Sequence, residues 1–136
     1  KGLQFKPDDD QAWNNRGIVL FNLGRNEEAI TSYDRAVEIK PDYHQAWNNR
    51  GVVLGNLGRY EEAIAAFDRA LEIKPDDHEV WYNNAYAYSL QNAIELALEN
   101  LQKAIQLNPE EYRKMAKTDS DFDNIRHDPR FQALIQ

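Results

Sequence analysis

The chain has 136 residues, 42% of them hydrophobic, a formal net charge of -7, a sequence pI of about 4.9 and no cysteine. That is enough apolar material for one continuous core, while the negative balance argues against nucleic acid or an anionic membrane as partner, since both call for clustered Lys and Arg that displace counterions. Without Cys there are no disulfides and no thiolate metal sites, no stretch approaches the roughly 20 apolar residues of a membrane span, and the N-terminus does not read as a signal peptide.

The chain is organised by a fixed period. Trp13, Trp47 and Trp81 stand 34 residues apart, as do Pro7, Pro41, Pro75 and Pro109. A strict period of that size means stacked copies of one supersecondary unit. In chain order, residues 1–7 (KGLQFKP) align with RAVEIKP at 35–41 and RALEIKP at 69–75. They read as the closing turn of a preceding repeat, so the chain is expected to be a piece of a longer array. Leu3 and Phe5 would there lack partners, and this end is expected to fray or to make dimer contacts.

Residues 8–41, 42–75 and 76–109 form the three units, and each reads as two helices. In the second unit Asp42 opens the first helix. Ala46, Trp47, Arg50, Gly51, Leu54 and Leu57 fall three or four residues apart, as on a helix face pressed against a neighbour. Gly58 supplies a positive φ at the helix end. Ala63, Ile64, Phe67, Ala70, Leu71 and Ile73 then make a second helix, ended by Pro75. Six helices are predicted at roughly 9–22, 26–39, 43–56, 60–73, 77–90 and 93–107. The first unit repeats the second at most positions and the third keeps few of them, as expected for the end of an array.

The patterns W-x3-G-x2-L and A-x3-F-x2-A with a closing Pro, over residues 8–109, resemble the tetratricopeptide repeat. The resemblance implies an all-α, right-handed superhelical solenoid of three helix-turn-helix repeats, in which the first helices line a concave groove. By that resemblance the groove carries Gln11, Asn14, Asn15, Ile18, Phe21 and Asn22, then Gln45, Asn48, Asn49, Val52 and Asn56, then Glu79, Tyr82, Asn83, Tyr86 and Leu90. It is polar and uncharged for most of its length, and aromatic at one end.

Asn15, Asn49 and Asn83 recur at the repeat period. An amide carries two donors and an acceptor, so such a ladder either grips the backbone of an extended peptide or bonds within its own array. Asn14, Asn15, Asn48, Asn49, Tyr82, Asn83 and Tyr86 are the candidate peptide-binding residues. Some tetratricopeptide repeats hold a peptide carboxylate in a clamp of two Lys, two Asn and one Arg. Here that clamp would fall on Asn14, Ile18, Asn49, Glu79 and Asn83, of which only Asn49 fits, so a carboxylate end is not the expected ligand.

Arg16 and Arg50 sit where the repeat pattern has Leu, facing the second helix. Asp34 and Asp68 lie 18 residues on, which suggests interhelical pairs Arg16–Asp34 and Arg50–Asp68, replaced in the third repeat by the amides Asn84 and Gln102. The alternative is separate solvated charges whose stems cover apolar surface.

Residues 110–136 read as a helical cap. Acids precede bases in 110–117, as the helix dipole favours. Asp119 or Ser120 can cap a short turn bearing Phe122 and Ile125, and Asp128-Pro129 starts a last helix. The spacing of Asp119, Asp121 and Asp123 invites a calcium reading, but Asn124 and Arg130 stand where Gly and Glu are needed. No metal, cofactor or catalytic site is expected. The expected role is a non-enzymatic, cytoplasmic scaffold holding a partner protein or peptide in its groove. The alternatives are a spacer or self-assembly element, or the C-terminal array of a larger enzyme.

Overall fold

A computed structural model describes residues 8–136; the reading of residues 1–7 as the tail of a preceding repeat lies outside the described residues. Among the described residues the regular structure is all helical. α1 (Asp10–Asn22), α2 (Asn26–Ile39), α3 (His44–Asn56), α4 (Tyr60–Ile73), α5 (His78–Leu90) and α6 (Ile94–Leu107) follow the sequence expectation to within a residue or so. α7 (Pro109–Thr118), a 3-10 turn (Ser120–Phe122) and α8 (Pro129–Leu134) complete the chain.

The period of 34 fixes local geometry as well as composition. The turn between paired helices places Gly24 and Gly58 at φ 78° and, at the same position of the third repeat, Asn92 at φ 61°. Glycine adopts this left-handed conformation without a Cβ penalty, and Asn is among the side chains that tolerate it. Helix starts are less uniform. Asp9 caps α1 by accepting the Ala12 amide at 3.1 Å, whereas the cap residue of α3 is Tyr43, one residue after Asp42, and makes no side-chain cap bond.

Within a repeat the two helices touch through a ring laid on a glycine. A Cβ on Gly51 would stand 2.5 Å from the Phe67 ring, and one on Gly17 2.5 Å from the Tyr33 ring. Both rings are buried. On the other side of the pair, Trp47 and Trp81 donate their indole N–H to the carbonyls of Pro41 and Pro75 at 2.9 and 2.8 Å. A cation from the second helix lies near each Trp ring, Arg35 at 5.6 Å from Trp13, Arg69 at 6.0 Å from Trp47 and Lys103 at 6.0 Å from Trp81.

Between repeats, α2 packs on α3 and α4 on α5, while α1 touches α3 and α3 touches α5 directly. The odd-numbered helices therefore form one continuous wall. The ion pairs follow the stacking and correct the expected pairing. Arg50 Nε donates to Asp34 of the preceding repeat at 2.6 Å, and not to Asp68 of its own. Arg16 lies over Trp13 at 5.8 Å, while the Asp34 carboxylate expected to meet it is taken by Arg50. In the third repeat Asn84, replacing the Arg, donates to Asp68 at 2.9 Å and to Asn100 at 3.4 Å in place of the expected Gln102. One geometry thus recurs, with the first helix of a repeat reaching back to the second helix of the repeat before it.

α7 follows α6 as α5 follows α4, packing as the first helix of a further repeat would. The chain then turns back. The 3-10 turn meets α5 and α8 meets α6, so that Phe122, Ile125 and Phe131 are fully buried among Tyr82, Leu98 and Leu101. Burying each such side chain is worth about 1.5–3 kcal/mol.

Candidate functional site

The wall of α1, α3 and α5 carries the Asn series. Asn49 Nδ2 donates to Asn14 Oδ1 at 3.1 Å, and Asn83 Nδ2 donates to Asn48 Oδ1 at 3.1 Å. Asn14 and Asn48 are buried, Asn49 and Asn83 half-buried and Asn15 exposed. Each bond uses one of an amide's two N–H groups, and together they tie each first helix to the next. Asn49 and Asn83 are therefore bonded within the array along the floor of the groove.

The other two candidates lie where the groove ends. Beside α7 the wall deepens into a cavity of about 570 Å3, with Val52 from α3 and His78, Glu79, Tyr82, Asn83 and Tyr86 from α5 on one side. Glu111, Tyr112 and Met115 from α7, with Asp119 and Asp121 from the segment after it, form the other. Three tyrosines dominate it. Tyr82 and Tyr112 stack with ring centroids 4.9 Å apart and planes 23° apart. The Tyr82 hydroxyl donates to Asp119 at 2.7 Å, and that of Tyr112 shares a 2.6 Å hydrogen bond with His78 Nδ1. Tyr86 reaches across to α3, where Gly55 leaves room for its hydroxyl that a Cβ would take away.

Tyr82 and Tyr112 are both almost fully buried, so the stacked pair forms the floor of the cavity. Tyr86, half-buried, remains at the cavity wall. All three phenols are held neutral. Burial pushes Tyr86 up to about 12, raises Tyr112, and raises Tyr82 further because its proton is held by Asp119. Asp121 is raised as well, first by burial and then by the charge of nearby Asp119. Asp119 accepts the Tyr82 hydroxyl through one oxygen and the Asp121 amide through the other.

Sequence reasoning placed Glu79, Tyr82, Asn83 and Tyr86 at one end of the groove, where the structure also has them. It did not single out Glu111, Tyr112, Met115, Asp119 and Asp121, whose segment it read as a helical cap. One clue was present, since Tyr112 stands 34 residues after His78, to which it bonds. Among the described residues no group of three His, Cys, Asp or Glu could hold a metal ion, and no helix is long and apolar enough to cross a membrane.

Two family models match the chain, one described as Tetratricopeptide repeat over residues 44–77 and 78–111 and the other as TPR repeat over residues 19–58. The chain belongs to the tetratricopeptide repeat family. No curated protein is matched by sequence. Among solved structures, a crystal structure of MamA superposes with TM-score 0.74 at 22% identity, covering 78% of this chain and 62% of that one. A second MamA structure, MSR-1 C2, gives TM-score 0.70 at 28% identity, over 77% of this chain and 60% of that one. The chain thus spans about three fifths of these two MamA structures. The first tetratricopeptide repeat domain of Spaghetti (RPAP3), bound to the HSP90 peptide SRMEEVD, gives TM-score 0.74 at 18% identity over 88% of this chain and 99% of that one. These likenesses agree with the helical-repeat solenoid. Tetratricopeptide repeats are in general protein–protein interaction scaffolds and typically non-catalytic.

Proposed function

We propose that this array is a non-enzymatic interaction module whose concave face holds an extended segment of a partner protein. The observation that carries the reading is the cavity of about 570 Å3 at the α7 end of the groove. It is open, shares Val52 of α3 and the groove residues of α5 with the wall, and is walled by the rigid aromatic surface that anchors interfaces at low conformational cost. The Asn series supports this by holding the wall in register and leaving Gln45, Val52 and Asn56 to face the ligand. The peptide in the RPAP3 structure supports the mode of binding as an analogy of fold only.

The test is capture of a partner from the source cells by the chain, run beside a Val52→Arg, Asn56→Arg variant whose helicity is checked by circular dichroism. Asn56 is exposed and Val52 half-buried at the edge of the core, so the helicity check is part of the test. A partner kept by the native chain and lost by the folded variant supports the groove. A partner retained equally by both removes it and leaves the convex face or the helix ends as the interaction surface.

A further inference from the structure

The ligand of the cavity can be read from its charge. Resting on the groove reading above, we infer that the cavity between α5 and α7 is a pocket for a cationic side chain, Lys or Arg, of the bound segment. Two kinds of wall meet there. Half-buried Tyr86 presents neutral aromatic surface, the partner that an ammonium or guanidinium group takes by cation–π attraction, over a floor made by the buried, stacked Tyr82–Tyr112 pair. Around them stand four carboxylates, Glu79, Glu111, Asp119 and Asp121, and among the described residues no Lys or Arg lines the space.

The guanidinium of Arg126, which contacts the Asp119 backbone, is committed elsewhere. Arg126 donates to the carbonyls of Ala116, Lys117 and Asp119, and pairs with Asp123. Asp121 is consequently a half-buried carboxylate facing like charge, which raises its proton affinity, and a cation entering the cavity relieves both the burial and the repulsion. The rings are fixed in advance, Tyr82 by Asp119 and Tyr112 by His78, so little side-chain entropy is lost on binding. The cavity has room for one long side chain and part of the backbone that carries it. Its chemistry is the reverse of a carboxylate clamp, consistent with Glu79 standing where such a clamp needs a cation.

The test is selection of random dodecapeptides displayed on phage against the whole chain, followed by fluorescence anisotropy with the synthesised winner. The expected result is a shared Lys or Arg in the enriched peptides. Replacing that residue by uncharged norleucine should weaken binding about tenfold, equivalent to about 1.4 kcal/mol, and rising salt should weaken the parent peptide more than the substituted one. Asp121→Asn should reproduce the loss, and so should Glu79→Gln with Glu111→Gln, two exposed positions that keep the fold if Asp121→Asn does not. Peptides that lose binding with Val52→Arg but share no basic residue would overturn the cationic pocket and leave the groove standing. Enrichment of no peptide would overturn both.

Discussion

The Asp34–Arg50 pair offers the sharpest quantitative prediction, because the same Arg has two candidate acids and the stacking selects one. Arg50 Nε lies 2.6 Å from Asp34, with the two side chains 22% and 43% exposed. A fully exposed pair is worth about 0.2–1 kcal/mol, and a hydrogen bond to a charged group about 1.5–3 kcal/mol when well buried. Partial exposure places this one near about 1 kcal/mol. A double-mutant cycle by urea unfolding, with Asp34→Ala, Arg50→Ala and the double variant, should therefore show a coupling of about 1 kcal/mol. The same cycle on Asp68 and Arg50 should give about zero. Because the 34–50 pair spans two repeats, its loss should also weaken the cooperativity between them. A larger coupling for 68–50 than for 34–50 would refute the stacking register.

Four further outcomes follow from the packing. Gly51→Ala gains about 1 kcal/mol in helix propensity but drives a methyl into the buried Phe67 ring. Overpacking costs about 1–3 kcal/mol, so thermal denaturation should show a net loss, whereas Gly24→Ala, with open space around it, should cost only about 1–2 kcal/mol of left-handed strain. Asn49→Ala strips the donor from buried Asn14, so it should cost about 1–2 kcal/mol of stability, measurable as a lower denaturation midpoint with or without ligand. Tyr82→Phe should lower stability by about 1 kcal/mol by leaving Asp119 without its hydroxyl donor. The pH dependence should carry two opposite signs. Asp128 is held down to about 2 by the Arg130 side chain and then by its amide. Its contribution is present above the ordinary carboxylate pKa near about 4 and is lost as pH falls toward about 2. Asp121 is raised, so between its ordinary and raised values the folded state prefers the proton and stability increases as pH falls. Unfolding curves of Asp128→Asn and Asp121→Asn across acid pH should flatten the two trends separately.

The sequence made the six repeat helices legible because the period, the Gly or Asn at the turn and the closing Pro are local signals that agree with one another. The partner of Arg50 was not legible. Asp34 lies 16 residues before it and Asp68 lies 18 after, and only the packing of α2 on α3 decides between them. The Asn series was visible as a pattern but not as a bond pattern, since an amide side chain serves a peptide and a neighbouring amide equally well. The cavity was half visible. Tyr82 and Tyr86 follow from the repeat and Tyr112 from α7 packing in the place of a further first helix, but Asp119 and Asp121 reach them only because the non-repeating segment folds back after α7. That return is fixed by where Phe122 and Phe131 find apolar cover, which no local pattern records.

The most direct measurement is site-specific photocrosslinking in the source cells, with a photoreactive residue placed at Val52 in the groove or at exposed Ala65 on α4. The account predicts a discrete crosslinked partner from Val52 and none from Ala65. Crosslinking from Ala65 alone, or from neither position, would contradict the concave face as the interaction surface.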